Sequence, residues 1–386
     1  MFESGAKNTA VGAYALDSNT TAEHNVAVGY AAMDANTTGT QNTAVGSFAL
    51  DANTNANQNT AVGYNSLTAL SSGNSCTAVG SEALESCTSG SDNTAVGQKA
   101  LEATTTGGYN TAVGREALIA NTTGAGNTAV GGLALDANTT ASYNTAVGWA
   151  ALSDNTTGSQ LVAVGASALA NNTVGNRNTA VGYYAANSNT GGDDNTAIGR
   201  EAMYYNTTGS QNVAVGRGAV ITCTTGNYNI GVGHEALKSV TTANSNTAVG
   251  RTAGYSCSTG ANNTFVGKDA GDALTTGHRN ICIGVSTDAA SASTSDSIVI
   301  GYGINGNGTN HFTFGKTGNR VYNEFTSNAS WARSSDVRLK KDIQTNTDLG
   351  LDFINDLRTV TYKWKAPSEL DSTLSGYDAD KTEADY

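Results

Sequence analysis

The stretch NTAVGWAALSDNTTGSQ, residues 144–160, is one copy of a 17-residue unit that repeats without insertion from Asn8 to Arg279, sixteen copies head to tail. Its valine returns in every copy from Val11 to Val266, with Ile198 the one exception, and a glycine always follows, from Gly12 to Gly267. A unit this short cannot bury an apolar face by itself. Copies at a fixed period must stack, each one coil of a solenoid that shares a continuous core with its neighbours.

Within NTAVG the period of a short strand places Thr and Val on one face and Asn and Ala on the other, and the threonine is read as facing inward. Glycine at the fifth position supplies a corner with positive φ; the fifteenth position, Gly or Ala in every copy, is read as the second bend. The eighth position is Ala in fifteen of sixteen copies, with Ser66 the exception, and the ninth is mostly Leu. Leucine fills the core. The two alanine rows, at positions 3 and 8, let backbones approach, so they are expected to receive sister copies in a homo-oligomer. Stacked about 4.8 Å apart, the coils make a shaft of roughly 75 to 80 Å.

Asparagine at positions 1 and 12 then lies over asparagine of the next copy, forming amide ladders. The NTT segments at Asn19, Asn36, Asn121, Asn138, Asn155 and Asn206 match the glycosylation sequon, yet Leu70, Cys87, Val240 and Leu274 take the same place in other copies. Such replacements mark an inward-facing structural position.

Composition narrows the function classes. The chain of 386 residues has 46 glycines, one proline and 7% aromatics, which suits neither an ordinary globular core nor, given the strict spacing, a disordered tract. A net charge of −12, with eight of the 20 Lys and Arg after Ala332, argues against nucleic acid or an anionic membrane as partner. No apolar run is long enough for a membrane span, and MFESGAKNTAVG has no signal-peptide apolar region, so neither membrane insertion nor export by a standard signal is expected. Cys76, Cys87, Cys223, Cys257 and Cys282 lack metal-ligand spacing and read as small buried thiols of a protein made in a reducing cytoplasm. Four dispersed histidines (His24, His234, His278, His311) and isolated aspartates (Asp17, Asp34, Asp51, Asp136) give no metal site, and no cofactor or substrate-directed enzyme is expected.

NTAVG with its downstream Ala and Leu resembles the head repeat of trimeric autotransporter adhesins. That resemblance implies a left-handed parallel β-roll in a homotrimer.

After Arg279 the pattern is read as decaying through residues 280–297, and the alternating segments from Ile298 as a transition or tip module. Beyond it, LDFINDL has helical apolar spacing (Phe353, Ile354, Leu357) and VTYKWK, residues 360–365, that of a strand. Ser335, Asp336, Arg338, Leu339, Lys340 and Ile343, with VTYKWK downstream, resemble the start of the endosialidase-type intramolecular chaperone of phage tail spikes and fibres. The resemblance implies that the segment trimerises the fibre and then cuts itself off between Ser334 and Ser335, with Ser335 as nucleophile, Lys340 as general base, and Asp336 and Arg338 in support. A lysine base needs its ammonium pKa brought from about 10.4 toward neutrality, by burial or by the charges of Arg338 and Lys341. A plain helix cap at Ser335 and Asp336 is the competing interpretation.

The expected fold is all-β: a parallel β-roll or β-solenoid of sixteen coils in a homotrimeric fibre. It has a lead-in at 1–7, a shaft at 8–279, a tip module at 280–330 and a short α+β segment at 331–386, read as the start of an incomplete chaperone domain. The expected function is a virion tail fibre or appendage that attaches to a host surface glycan or protein and joins a baseplate or other fibre proteins. Outward aromatics at positions 6 and 7 are the candidate contacts: Tyr14, Tyr30, Phe48, Tyr64, Trp149, Tyr183 and Tyr184. A trimeric cell-surface adhesin is the alternative, and an ice-binding solenoid stands third because most threonine rows are single and the threonine at position 2 is read as facing inward.

Overall fold

A computed structural model describes residues 7–326, and the chain divides into two units at Ala329 and Ser330. The first unit is a stack of coils, each contributing one three-residue strand, from Thr9–Val11 to Ile281–Ile283. Every strand pairs in parallel with the next at an offset of one repeat, as in Thr43 with Thr60, Ala44 with Ala61 and Val45 with Val62. The rest of each coil also bonds to its neighbours: Leu50 N donates to Ser66 O on one side (3.0 Å), and Phe48 N to Tyr30 O on the other (2.9 Å).

The stack runs past the sixteenth copy to about eighteen turns. Ile281 pairs with Thr264 and Ile298 with Ile281, still one repeat apart. Residue identities change beyond Arg279, but Cys282 and Val299 remain fully buried while Ile283 and Ile300 stay exposed, so the in-and-out alternation that builds a coil persists. His311–Lys316 then pairs in parallel with Ile298–Tyr302, and Asn319–Glu324 returns antiparallel against it as a closing hairpin.

The strand faces are the reverse of the threonine expectation. Ala44 is fully buried, whereas Thr43 is half-buried and Val45 is 37% exposed on the opposite side. Both alanine rows, at positions 3 and 8, line the interior of a single chain, which corrects the idea that they receive sister copies. The lumen is too narrow for anything larger there unless a neighbour shrinks. Phe265 replaces the alanine at position 3 in the sixteenth coil, and glycines replace the leucines it would strike. A Cβ on Gly254 would lie 2.6 Å, and one on Gly271 2.1 Å, from its ring. Gly231 is the converse, with the Val220 side chain 2.6 Å from where a Cβ would stand. These are volume-conserving exchanges across stacked coils.

The corners also fall differently. Gly46 holds φ 140°, as expected at position 5, and a Cβ there would meet the carbonyl oxygen of Gly63 at 2.3 Å. Position 15 is not a left-handed corner: its glycines sit where the coil above leaves no space, a Cβ on Gly39 lying 2.4 Å from Ala56 O. The other left-handed residues stand at positions 7, 9 and 17, as in Phe48 (φ 60°), Leu50 (φ 55°) and Gln58 (φ 61°). Leucine accepts that strained backbone because its side chain is then fully buried in the lumen.

The asparagine ladders run through the interior. Asn42 N donates to Asn25 Oδ1 (2.9 Å) and its Nδ2 to Ala56 O (2.8 Å), while Asn53 Nδ2 donates to Asn36 Oδ1 (2.8 Å). Asn36, Asn121, Asn138, Asn155 and Asn206 are fully buried. All five cysteines are free and buried, and burial pushes the Cys223 thiol up to about 11. Among the described residues no helix is long and apolar enough to cross a membrane.

Candidate functional site

The glycine corner after each strand turns positions 6 and 7 outward, and stacking at one repeat brings side chains of these two positions together from coil to coil. In the first four coils this builds an aromatic ladder. Ring centroids of Tyr14 and Tyr30 lie 5.6 Å apart, of Tyr30 and Phe48 5.4 Å, and of Phe48 and Tyr64 6.3 Å, all nearly perpendicular. Such edge-to-face pairs contribute about 0.5–1.5 kcal/mol each beyond burial, so the strip is held in shape while its tyrosines keep exposed faces.

Trp149 stands apart, 60% exposed, over Gly132. Tyr183 and Tyr184 do come together, with centroids 4.1 Å apart, and they extend into a belt that sequence reasoning missed. Tyr184 meets Tyr204 at 5.8 Å, and Tyr204 meets Tyr205 at 4.6 Å. The omitted pair lies at positions 10 and 11, around the next bend. A second Tyr-Tyr doublet one coil after the first was the available signal.

Charge on the shaft is arranged in small pairs. Asp194 and Asp296 are held below the usual carboxylate range by Arg177 and Arg279, which reach them at 2.7 and 2.6 Å. Glu82, Glu85 and Glu102 converge within 4.8 Å, and the Lys99 ammonium bridges Glu82 (3.0 Å) and Glu102 (3.1 Å). That lysine supplies the positive charge an ion would bring.

The outward strand face is an open apolar row. Val45, Val79, Val96, Val113, Val130, Val147, Ile198, Val249 and Val266 are each a little over one third exposed, on a parallel sheet that no other described residue covers. Large contiguous apolar surface is uncommon on a polar protein outside interaction sites.

Ser334, Ser335, Asp336, Arg338 and Lys340 lie outside the described residues. For that segment sequence comparison is informative: the family of chaperones of endosialidase matches residues 335–383, beginning at the serine read as the first residue after the cut. No curated protein matches the chain.

Proposed function

We propose that this chain, a β-solenoid fibre joined to an endosialidase-type chaperone segment, is a homotrimeric tail fibre or appendage of a phage-type virion. Its shaft presents surface for host attachment, and the C-terminal segment assists trimerisation. The observation that carries the reading is the coupling of an uninterrupted one-strand-per-coil stack to a chaperone match starting at Ser335. The valine row supports self-association. The described residues of one chain leave it exposed, and sister chains offer an apolar face of the same length and pitch. Trimer contacts are therefore assigned to the Val face in place of the Ala rows.

Release of the segment follows from the Ser335 and Lys340 assignment. Ser335 Oγ attacks the Ser334 carbonyl carbon as Lys340 takes its proton; the Ser335 nitrogen leaves with that proton, and water hydrolyses the resulting ester. Mass analysis of the expressed full-length product tests this directly. A break before Ser335, abolished by Ser335→Ala and by Lys340→Ala, is expected; an intact wild-type chain from the complete gene would overturn it.

One observation favours a second reading. The threonines of the strands stand half-buried or exposed on the outward face beside the valines, in a row broken at Val26, Val162, Val213 and Ile230, so the inward-facing argument against an ice-binding surface falls. Thermal hysteresis in the purified protein would favour that reading over a trimer contact on the same face.

A further inference from the structure

Read along position 6, the coils from the eleventh to the sixteenth carry Tyr183, Arg200, Arg217, His234, Arg251 and Lys268 in unbroken succession. Residues 200–279 hold six Lys and Arg against four Asp and Glu, a local net charge of +2 within a chain of −12. Stacking puts the four cations Arg200, Arg217, Arg251 and Lys268 on one edge of the shaft, with His234 between the second and third, on coils about 4.8 Å apart. Arg200, Arg217, Arg251 and Lys268 are exposed, and His234 is half-buried.

Position 7 alternates alongside: Glu201, Gly218, Glu235, Thr252, Asp269. A carboxylate thus stands at position 7 of every second coil, with Arg200 to Glu201 at 2.8 Å and Lys268 to Asp269 at 3.2 Å. Arg217 and Arg251 are followed instead by Gly218 and Thr252. The Arg217 guanidinium donates to His234 Nε2 (3.1 Å), which holds it along the edge without neutralising it. At the lower end of the ladder Tyr183 continues the same line, joined by the belt of Tyr184, Tyr204 and Tyr205.

From this arrangement we infer that coils eleven to sixteen bind a linear anionic polysaccharide along the shaft axis. A chain of sugar rings in extended form advances by nearly one ring per coil, so acidic groups along it meet the cations of coils twelve, thirteen, fifteen and sixteen. Arg217 and Arg251 have their nearest carboxylates, Glu235 and Asp269, in the next coil, where Lys238 (3.1 Å) and Lys268 (3.2 Å) already pair with them. These two arginines make forked, charge-assisted hydrogen bonds to the glycan, and Tyr183 offers a ring face for stacking. The inference rests on reading the shaft as an attachment surface, and it names the class of receptor and the edge that takes it.

Binding of the assembled full-length protein to oligogalacturonate, heparin oligosaccharide, neutral dextran and polyglutamate, measured by calorimetry at several salt concentrations, tests it. At least one acidic glycan is expected to bind and dextran not to bind. The pair Arg217→Gln and Arg251→Gln should weaken the acidic glycan about tenfold or more and flatten its salt dependence. Arg115→Gln, at the same repeat position but on the seventh coil and paired with Glu116, should change nothing. Tyr183→Ala should weaken the glycan and leave polyglutamate unaffected. The inference is overturned by failure of both acidic glycans to bind, by full affinity in the double variant, or by polyglutamate binding equally tightly with Tyr183→Ala silent. Sedimentation and mass analysis of the same samples report the fibre and chaperone reading separately, so either reading can fail while the other stands.

Discussion

Gly63 shows why single residues are so constrained here. Its φ of 141° lies where an L side chain is strained, and a Cβ would stand 2.4 Å from the backbone oxygen of Gly80 in the next coil. Gly63→Ala should cost at least the 1–3 kcal/mol typical of a strained backbone conformation, with the backbone clash added, read as a lower denaturation midpoint. The position was legible in the sequence, since a glycine recurring at a fixed place in every copy signals a need for its conformational freedom or its size. The left-handed leucines were not legible. Nothing about Leu50 as a residue type announces φ 55°, which the lumen imposes by rewarding burial of its side chain.

For one coil, stability rests on interior amides shared with the coils on either side. Asn138 Nδ2 donates to Asn121 Oδ1 (2.9 Å) and Ala141 O (3.1 Å), and its Oδ1 accepts from Asn155 Nδ2 (3.0 Å). Asn138→Ala leaves these buried groups unpaired beside a void and should cost about 2 kcal/mol or more. Asn138→Leu should cost less, because Leu70 and Leu274 already fill the same position in other coils without exposure. Urea melts of the two variants check the order.

The seventeenth coil carries a pH response of its own. Burial raises the Asp288 carboxyl to about 6, although the Ala273 and Ala289 amides donate to its oxygens at 2.8 Å each. Between its ordinary value, about 3.9, and 6 the folded state therefore holds more protons than the unfolded state. Its contribution is full below about pH 4 and is lost as the pH rises through 6. Melting temperatures of wild type relative to Asp288→Asn should accordingly fall from pH 4 to pH 7; a flat difference would contradict the assignment.

At the scale of the whole molecule, the proposed assembly rests on the valine face. Val113→Lys with Val130→Lys places charges on an outward row that a single chain leaves to solvent, so the coils should keep their β-sheet spectrum. Sedimentation should then show loss of the trimer. A trimer retained at wild-type affinity would move the interface elsewhere. The alanine rows, expected to receive sister chains, are spent inside each protomer, and this is the largest difference between the sequence reading and the structure.

Period, parallel stacking, one strand per coil and the inward asparagines of position 12 follow from sequence alone, because a 17-residue repeat admits one register and substitutions such as Leu70 and Val240 mark the buried side. Which strand face is inside does not follow. Alternation separates Thr and Val from Asn and Ala but is symmetric between lumen and solvent, and only the width of the closed coil, filled by leucine and admitting nothing larger than alanine across from it, breaks that symmetry. The tyrosine belt, the cation ladder and the exchange of Phe265 for Gly254 and Gly271 likewise exist only once residues about a repeat apart become neighbours.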